Sequence, residues 1–153
     1  MITITKQLRT ETGHRLMDYA GRCAHIHGHS YLWEVTITAK VEQPVGMVLD
    51  FAILKAAMNY VLDPFDHALI LRVDDPLLQV IESENLLVTH ASEMRTPRLV
   101  TFPFNPTCEN LGNWVFTEIG KSLDERTINR PDLVKLTKLK VWETANSFCE
   151  VVG

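Results

Sequence analysis

The sequence predicts an α+β domain, with strands at both ends of the chain and helices between them. Three observations carry this. Residues 1–12 and 31–41 alternate apolar and polar side chains with the period of a half-buried strand. Two stretches further on repeat apolar residues at helical spacing: Ile53, Leu54, Ala57, Met58, Val61 and Leu62, then Leu111, Trp114, Val115 and Ile119. Residues 136–152 return to short apolar runs on either side of Ala145-Asn146-Ser147, a turn. The 153 residues suffice for one domain, 1–153, with one core.

Each element has a local reason. In the first strand Ile2, Ile4 and Leu8 share one parity, and Thr3, Thr5, Gln7 and Arg9 the other. In the second, Trp33, Val35, Ile37, Ala39 and Val41 alternate with Glu34, Thr36, Thr38 and Lys40. The two pair antiparallel across a Gly/His/Cys-rich loop, 13–30, of the kind that carries function. Gln43-Pro44-Val45-Gly46 marks a turn, and Asp50 is placed to cap the first long helix, which ends near Asp63-Pro64. Asp75-Pro76 opens a short helix with Leu77, Leu78 and Ile81. Leu86–Thr89 and Leu99–Phe104 have the makings of a small hairpin. Thr107 caps the second long helix, with Asn110 where a capping-box partner stands. Strands through Trp142-Glu143 and over 148–152 complete the order β-β-α-α-β-β, with an insertion between the long helices.

Composition narrows the class. With a net charge of −4 and no basic stripe, a nucleic-acid footprint is not expected. No apolar run approaches the length of a membrane span, and the alternating N-terminus lacks the continuous core of a signal peptide. Cys23, Cys108 and Cys149 are an odd, widely spaced set, which argues against a disulfide framework and for a reducing cytoplasm.

The chemistry concentrates in 14–29, which holds four of the six histidines. In an extended segment His27 and His29 point to the same side and can chelate one ion. Gly28 between them lets backbone or ligand approach closely. Antiparallel pairing brings His14 to join them. Three nitrogens leave the fourth position of a tetrahedral zinc open, the catalytic arrangement. His25 shares the parity of His27 and His29 and competes as a ligand. Cys23, four residues before His27, becomes easier to deprotonate beside a cation and can serve as a general base, or as a fourth ligand closing the site. Cys108 and Cys149 read as packing residues. Asp66-His67 forms a proton-relay pair if a turn lets adjacent side chains meet. Glu143, in an apolar strand, needs donors or a pocket, and its carboxylate suits the amidine-like edge of a pterin or guanine. Capping accounts for Thr107, and helix-dipole charge for Glu109.

Together these residues resemble a known family. Cys23-Ala24-His25-Ile26-His27-Gly28-His29-Ser30-Tyr31 resembles the CxxxHGHxY motif of 6-carboxy-tetrahydropterin synthases, within the 6-pyruvoyl-tetrahydropterin synthase superfamily. His14-Arg15-Leu16, Gly46–Phe51, Asp66-His67, Pro106–Leu111 and Trp142-Glu143-Thr144 stand around it in the superfamily's order. The resemblance implies the tunnelling fold: a four-stranded antiparallel sheet with two helices on one face. It implies trimers or hexamers with sites between subunits. By resemblance His14, His27 and His29 are the zinc ligands and Cys23 the catalytic thiol. Asp66 and His67 are the second proton-transfer pair, supplied by a neighbouring subunit. Glu143 anchors the pterin, and Thr107 lies beside it. The Cys-to-His spacing matches the carboxy branch. Two departures stand out: Thr12-Gly13 replaces the usual Ala-Ala before the first ligand, and the segment from about Arg72 to Phe104 is longer than in compact members.

The implied activity is zinc-dependent conversion of 7,8-dihydroneopterin triphosphate to 6-carboxy-5,6,7,8-tetrahydropterin, a 7-deazaguanine (queuosine) precursor, with loss of triphosphate and acetaldehyde. Three rivals remain: a product that stops at 6-pyruvoyl-tetrahydropterin, a noncatalytic pterin- or metal-binding module, and an unrelated zinc hydrolase. Arg9, Arg15, Arg22 and Lys55 are unranked candidates for the triphosphate.

Overall fold

A computed structural model describes residues 1–84, 98–127 and 134–153. Strands β1 (Ile2–His14) and β2 (His27–Ala39) pair antiparallel from Ile2↔Ala39 to His14↔His27. Helix α1 (Phe51–Leu62) follows, then a 3-10 turn over Asp63–Phe65 and strand β3 (Ala68–Arg72). The short helix α2 (Leu77–Ser83), strand β4 (Leu99–Phe102) and the long helix α3 (Cys108–Arg126) come next. Strands β5 (Val134–Thr144) and β6 (Ser147–Val152) close the chain.

Among the described residues the sheet has six strands in the order β4-β3-β1-β2-β5-β6. The expected antiparallel four are β1, β2, β5 and β6. The expectation of a four-stranded, wholly antiparallel sheet is corrected by β3 and β4, which add to the free edge of β1 in parallel. Residues 99–102 are thus a strand, and among the described residues their partner is β3. Leu86–Thr89 lies outside the described residues. The physical reason is burial: Ala68, Ile70 and Leu71 are covered, so β3 is a continuous apolar run without alternation.

Both long helices start as their caps dictate. Asp50 accepts a hydrogen bond from Ala52 N (2.8 Å), and Thr107 Oγ1 from Asn110 N (3.2 Å). Asn110 does not complete a capping box; its amide donates to Asn105 O (3.0 Å). Leu54, Ala57, Met58, Leu62, Leu111, Val115 and Ile119 bury against Trp33, Val35, Ile37, Leu139 and Val141 from the sheet. Fully burying each large aliphatic chain contributes about 1.5–3 kcal/mol. Phe65 stacks on Trp114 (5.8 Å between centroids) and tilts against Trp33 (6.0 Å), tying the turn after α1 to α3 and β2.

Candidate active site

The β1–β2 register builds the site. Core-facing parity on β1 runs Leu8, Thr10, Thr12, His14, and on β2 it runs Trp33, Tyr31, His29, His27. The stripe that is apolar in the middle of the sheet therefore ends in three imidazoles. His14 lies directly opposite His27, and Thr12 opposite His29. One possible ligand atom from each of His14, His27 and His29 lies within 4.8 Å of the others. Neither His25 nor Cys23 joins this group. His25 instead gives its backbone carbonyl to His27 Nδ1 at 2.8 Å.

The hydrogen bonds fix the tautomers. His14 Nδ1 lies 2.7 Å from Pro106 O, and a carbonyl can only accept, so Nδ1 carries the proton. The same holds for His27 Nδ1 against His25 O. In the neutral rings both Nε2 atoms then present lone pairs, and they face each other at 3.0 Å. Burial lowers the pKa of His14 to about 4, with the neighbouring His27 and His29 acting in the same direction against the Pro106 bond. His14 is thus neutral near pH 7. Two lone pairs at this separation repel unless a cation sits between them. The donor set therefore fits a divalent ion such as zinc, its ligands oriented by carbonyls in the usual outer-shell manner.

Glu143 stands on the same sheet face. Its Oε1 accepts from the buried Tyr31 hydroxyl at 3.2 Å and lies 3.9 Å from His29 Nε2. Burial, then the charge of Glu143, push the Tyr31 phenol far above its ordinary pKa, so it stays a donor. Glu143 also lines a cavity of about 440 Å³ with Arg9, Ser30, Trp142 and Thr144. Sequence reasoning assigned no role to Tyr31, although its parity with His27 and His29 places it on this face.

Gly28 does admit a close approach, by backbone: a Cβ there would meet Thr12 O at 3.2 Å. Cys23 sits half-buried in a 3-10 turn, Arg22–Ala24, on the loop joining the two ligand-bearing strands. Asp66 and His67 do meet. His67 adopts φ +55°, which turns the chain so that its Nδ1 lies 2.9 Å from Asp66 Oδ2. Asp66 Oδ1 accepts from Glu11 N (2.9 Å), the main reason its carboxyl sits below the ordinary range. Thr107 caps α3 next to Pro106, the partner of His14. Of the triphosphate candidates, Arg15 is already committed to Asp75, while Arg9 opens on the cavity with Glu143.

Fold and site first define a class: an α+β protein with a three-histidine, metal-type centre at the end of an antiparallel hairpin. A family model described as 6-pyruvoyl tetrahydropterin synthase matches residues 3–153, and the chain belongs to that family. It is 35% identical to the 6-carboxy-5,6,7,8-tetrahydropterin synthase of Rickettsia bellii, over 99% of this chain and 100% of that one. It is 29% identical to the like-named protein of Aquifex aeolicus, over 96% and 95%. Among solved structures, an uncharacterized protein from Wolinella succinogenes superposes with a TM-score of 0.75 at 22% identity, covering 99% and 97%. The 6-pyruvoyl tetrahydropterin synthase of Caenorhabditis elegans superposes with a TM-score of 0.66 at 22% identity, covering 99% and 95%. These likenesses bear out the tunnelling fold.

Proposed function

We propose that the chain, as one tunnelling-fold domain, is a zinc-dependent lyase. It converts 7,8-dihydroneopterin triphosphate to 6-carboxy-5,6,7,8-tetrahydropterin, releasing triphosphate and acetaldehyde. The observation that carries this is the convergence of His14, His27 and His29 beside Glu143. Relatives named for the carboxy product, about one-third identical over their full length, favour that branch.

In this reading His14, His27 and His29 hold the ion, their tautomers set by the Pro106 and His25 carbonyls. The chemistry zinc supplies when bound is Lewis acidity toward the side-chain hydroxyls. Glu143, held by Tyr31, accepts from the amino and ring N–H groups of the pterin. Thr107 lies beside the ring. Cys23 moves one proton, and His67, oriented by Asp66, moves another from a neighbouring copy in a trimer or hexamer. Cytoplasmic action fits three free cysteines. Among the described residues no helix is long and apolar enough to cross a membrane.

The test is incubation of zinc-loaded protein with dihydroneopterin triphosphate and identification of every product by mass spectrometry. The carboxy product with trapped acetaldehyde is the expected result. A pyruvoyl product alone overturns the branch, and an unconsumed substrate with zinc bound overturns catalysis.

A further inference from the structure

We propose that Asp75, just before α2, and Asn105, just before α3, are positioning residues that mount the loop carrying Cys23. This rests on the reading of Cys23 as the active-site thiol. The loop, residues 15–26, joins the last residue of β1 to the first of β2. Its regular structure is one short turn, Arg22–Ala24. Its shape is therefore set from outside.

The outside contacts fall on Arg15 and Met17, on either side of Leu16. Arg15 donates through Nε to Asp75 Oδ2 (2.7 Å) and through Nη2 to Asp75 Oδ1 (2.5 Å), a bidentate charge-assisted pair. The Asp75 side chain is 0% exposed. Met17 is held at both backbone groups by one amide: Met17 N donates to Asn105 Oδ1 (2.9 Å), and Asn105 Nδ2 donates to Met17 O (2.8 Å). Between these pins, Leu16 N donates to Cys23 O at 2.8 Å. Fixing residues 15 and 17 thus fixes the one whose amide holds Cys23. A third contact, Arg72 Nη2 to Asp18 Oδ2 (2.8 Å), involves an aspartate that is 74% exposed and contributes little. Asp75 belongs to the longer segment that runs from about Arg72 to Phe104, which thereby acquires a role, and Asn105 follows directly after it. Asp75 also accepts from Leu77 N (2.9 Å), so the same carboxylate starts α2 and holds the loop.

The experiment compares zinc-loaded wild type with Asp75→Asn and Asn105→Ala in three measurements: zinc content, steady-state kinetics on dihydroneopterin triphosphate, and iodoacetamide labelling of each cysteine by peptide mass. Labelling of Cys23 is expected to change about tenfold and kcat to fall about 10- to 100-fold, with KM within about twofold. Zinc content and the labelling of Cys108 and Cys149 should match wild type. If Asp75→Asn does not fold, Asn105→Ala decides. Folded variants with wild-type Cys23 labelling and kcat overturn the proposal, as does equal acceleration at all three cysteines, which marks general loosening. Full activity of Cys23→Ala would sink the thiol reading instead, and Cys23 labelling would still decide whether the loop is mounted this way.

Discussion

His14 and His27 each spend one ring nitrogen on a carbonyl and present the other to the site. That division predicts different losses for neighbouring substitutions. His27→Ala should lose zinc, measured as bound metal after dialysis. Cys23→Ala should keep zinc and lose turnover; loss of metal would instead return the thiol to the ligand set. Glu143→Gln keeps the shape and the Tyr31 bond but removes the charge. Hydrogen bonds to charged groups contribute about 1.5–3 kcal/mol, so KM should rise about 10- to 100-fold with zinc content unchanged. Spacing and strand pairing made the histidine cluster legible in the sequence but left His25 in competition, because it shares the parity of His27 and His29; the family resemblance was needed to select the triad. The meeting of Asp66 with His67 was not legible, because it depends on a left-handed backbone at His67 that no residue type announces.

At the scale of elements, the period-two and helical patterns placed β1, β2, α1 and α3, while β3 escaped because buried parallel strands do not alternate. The second strand begins at His27, earlier than hydrophobic alternation alone marks, because histidines continue its inward parity without being apolar. The pairing of Arg15 with Asp75, sixty residues apart, left no local trace. Its consequence is a pH dependence. Burial pushes the Asp75 carboxyl up, but hydrogen bonds from Arg15 and Leu77 N–H, and the charges of Arg15 and Arg72, outweigh it and leave it below the ordinary range. A carboxyl depressed in the fold adds stability above its unfolded pKa of about 3.9, and that stability is lost as pH falls through the folded value. Asp75→Asn should therefore destabilise by about 2–4 kcal/mol near pH 7, Arg15 being partly exposed, and the gap should narrow in acid. Urea melts at pH 7 and pH 3 measure both. Thr107→Ala, which removes the α3 cap, should lower the stability measured in the same pH 7 melt by about 1 kcal/mol.

For the molecule as a whole, the sheet runs, among the described residues, from β4 on one side to β6 on the other. Exposed Phe148 and Val152 mark the β6 edge. Such an edge suits strand addition by another copy, in keeping with the proposed oligomer. If His67 serves a neighbour's site, Cys23→Ala and His67→Ala proteins, each inactive alone, should regain partial activity when dissociated and reassembled together. Continued inactivity of the mixed assemblies would place both groups in one chain's site. The bond from His14 to Pro106 reaches further than tautomer choice. It links the close of one strand, the opening of the next and the threshold of a helix ninety-two residues later, so a seated ion works as a rivet through three layers of chain. Chelation should therefore speed amide exchange near residues 12–14, 27–29 and 108–111 in concert, and leave the α1 interior as slow as before.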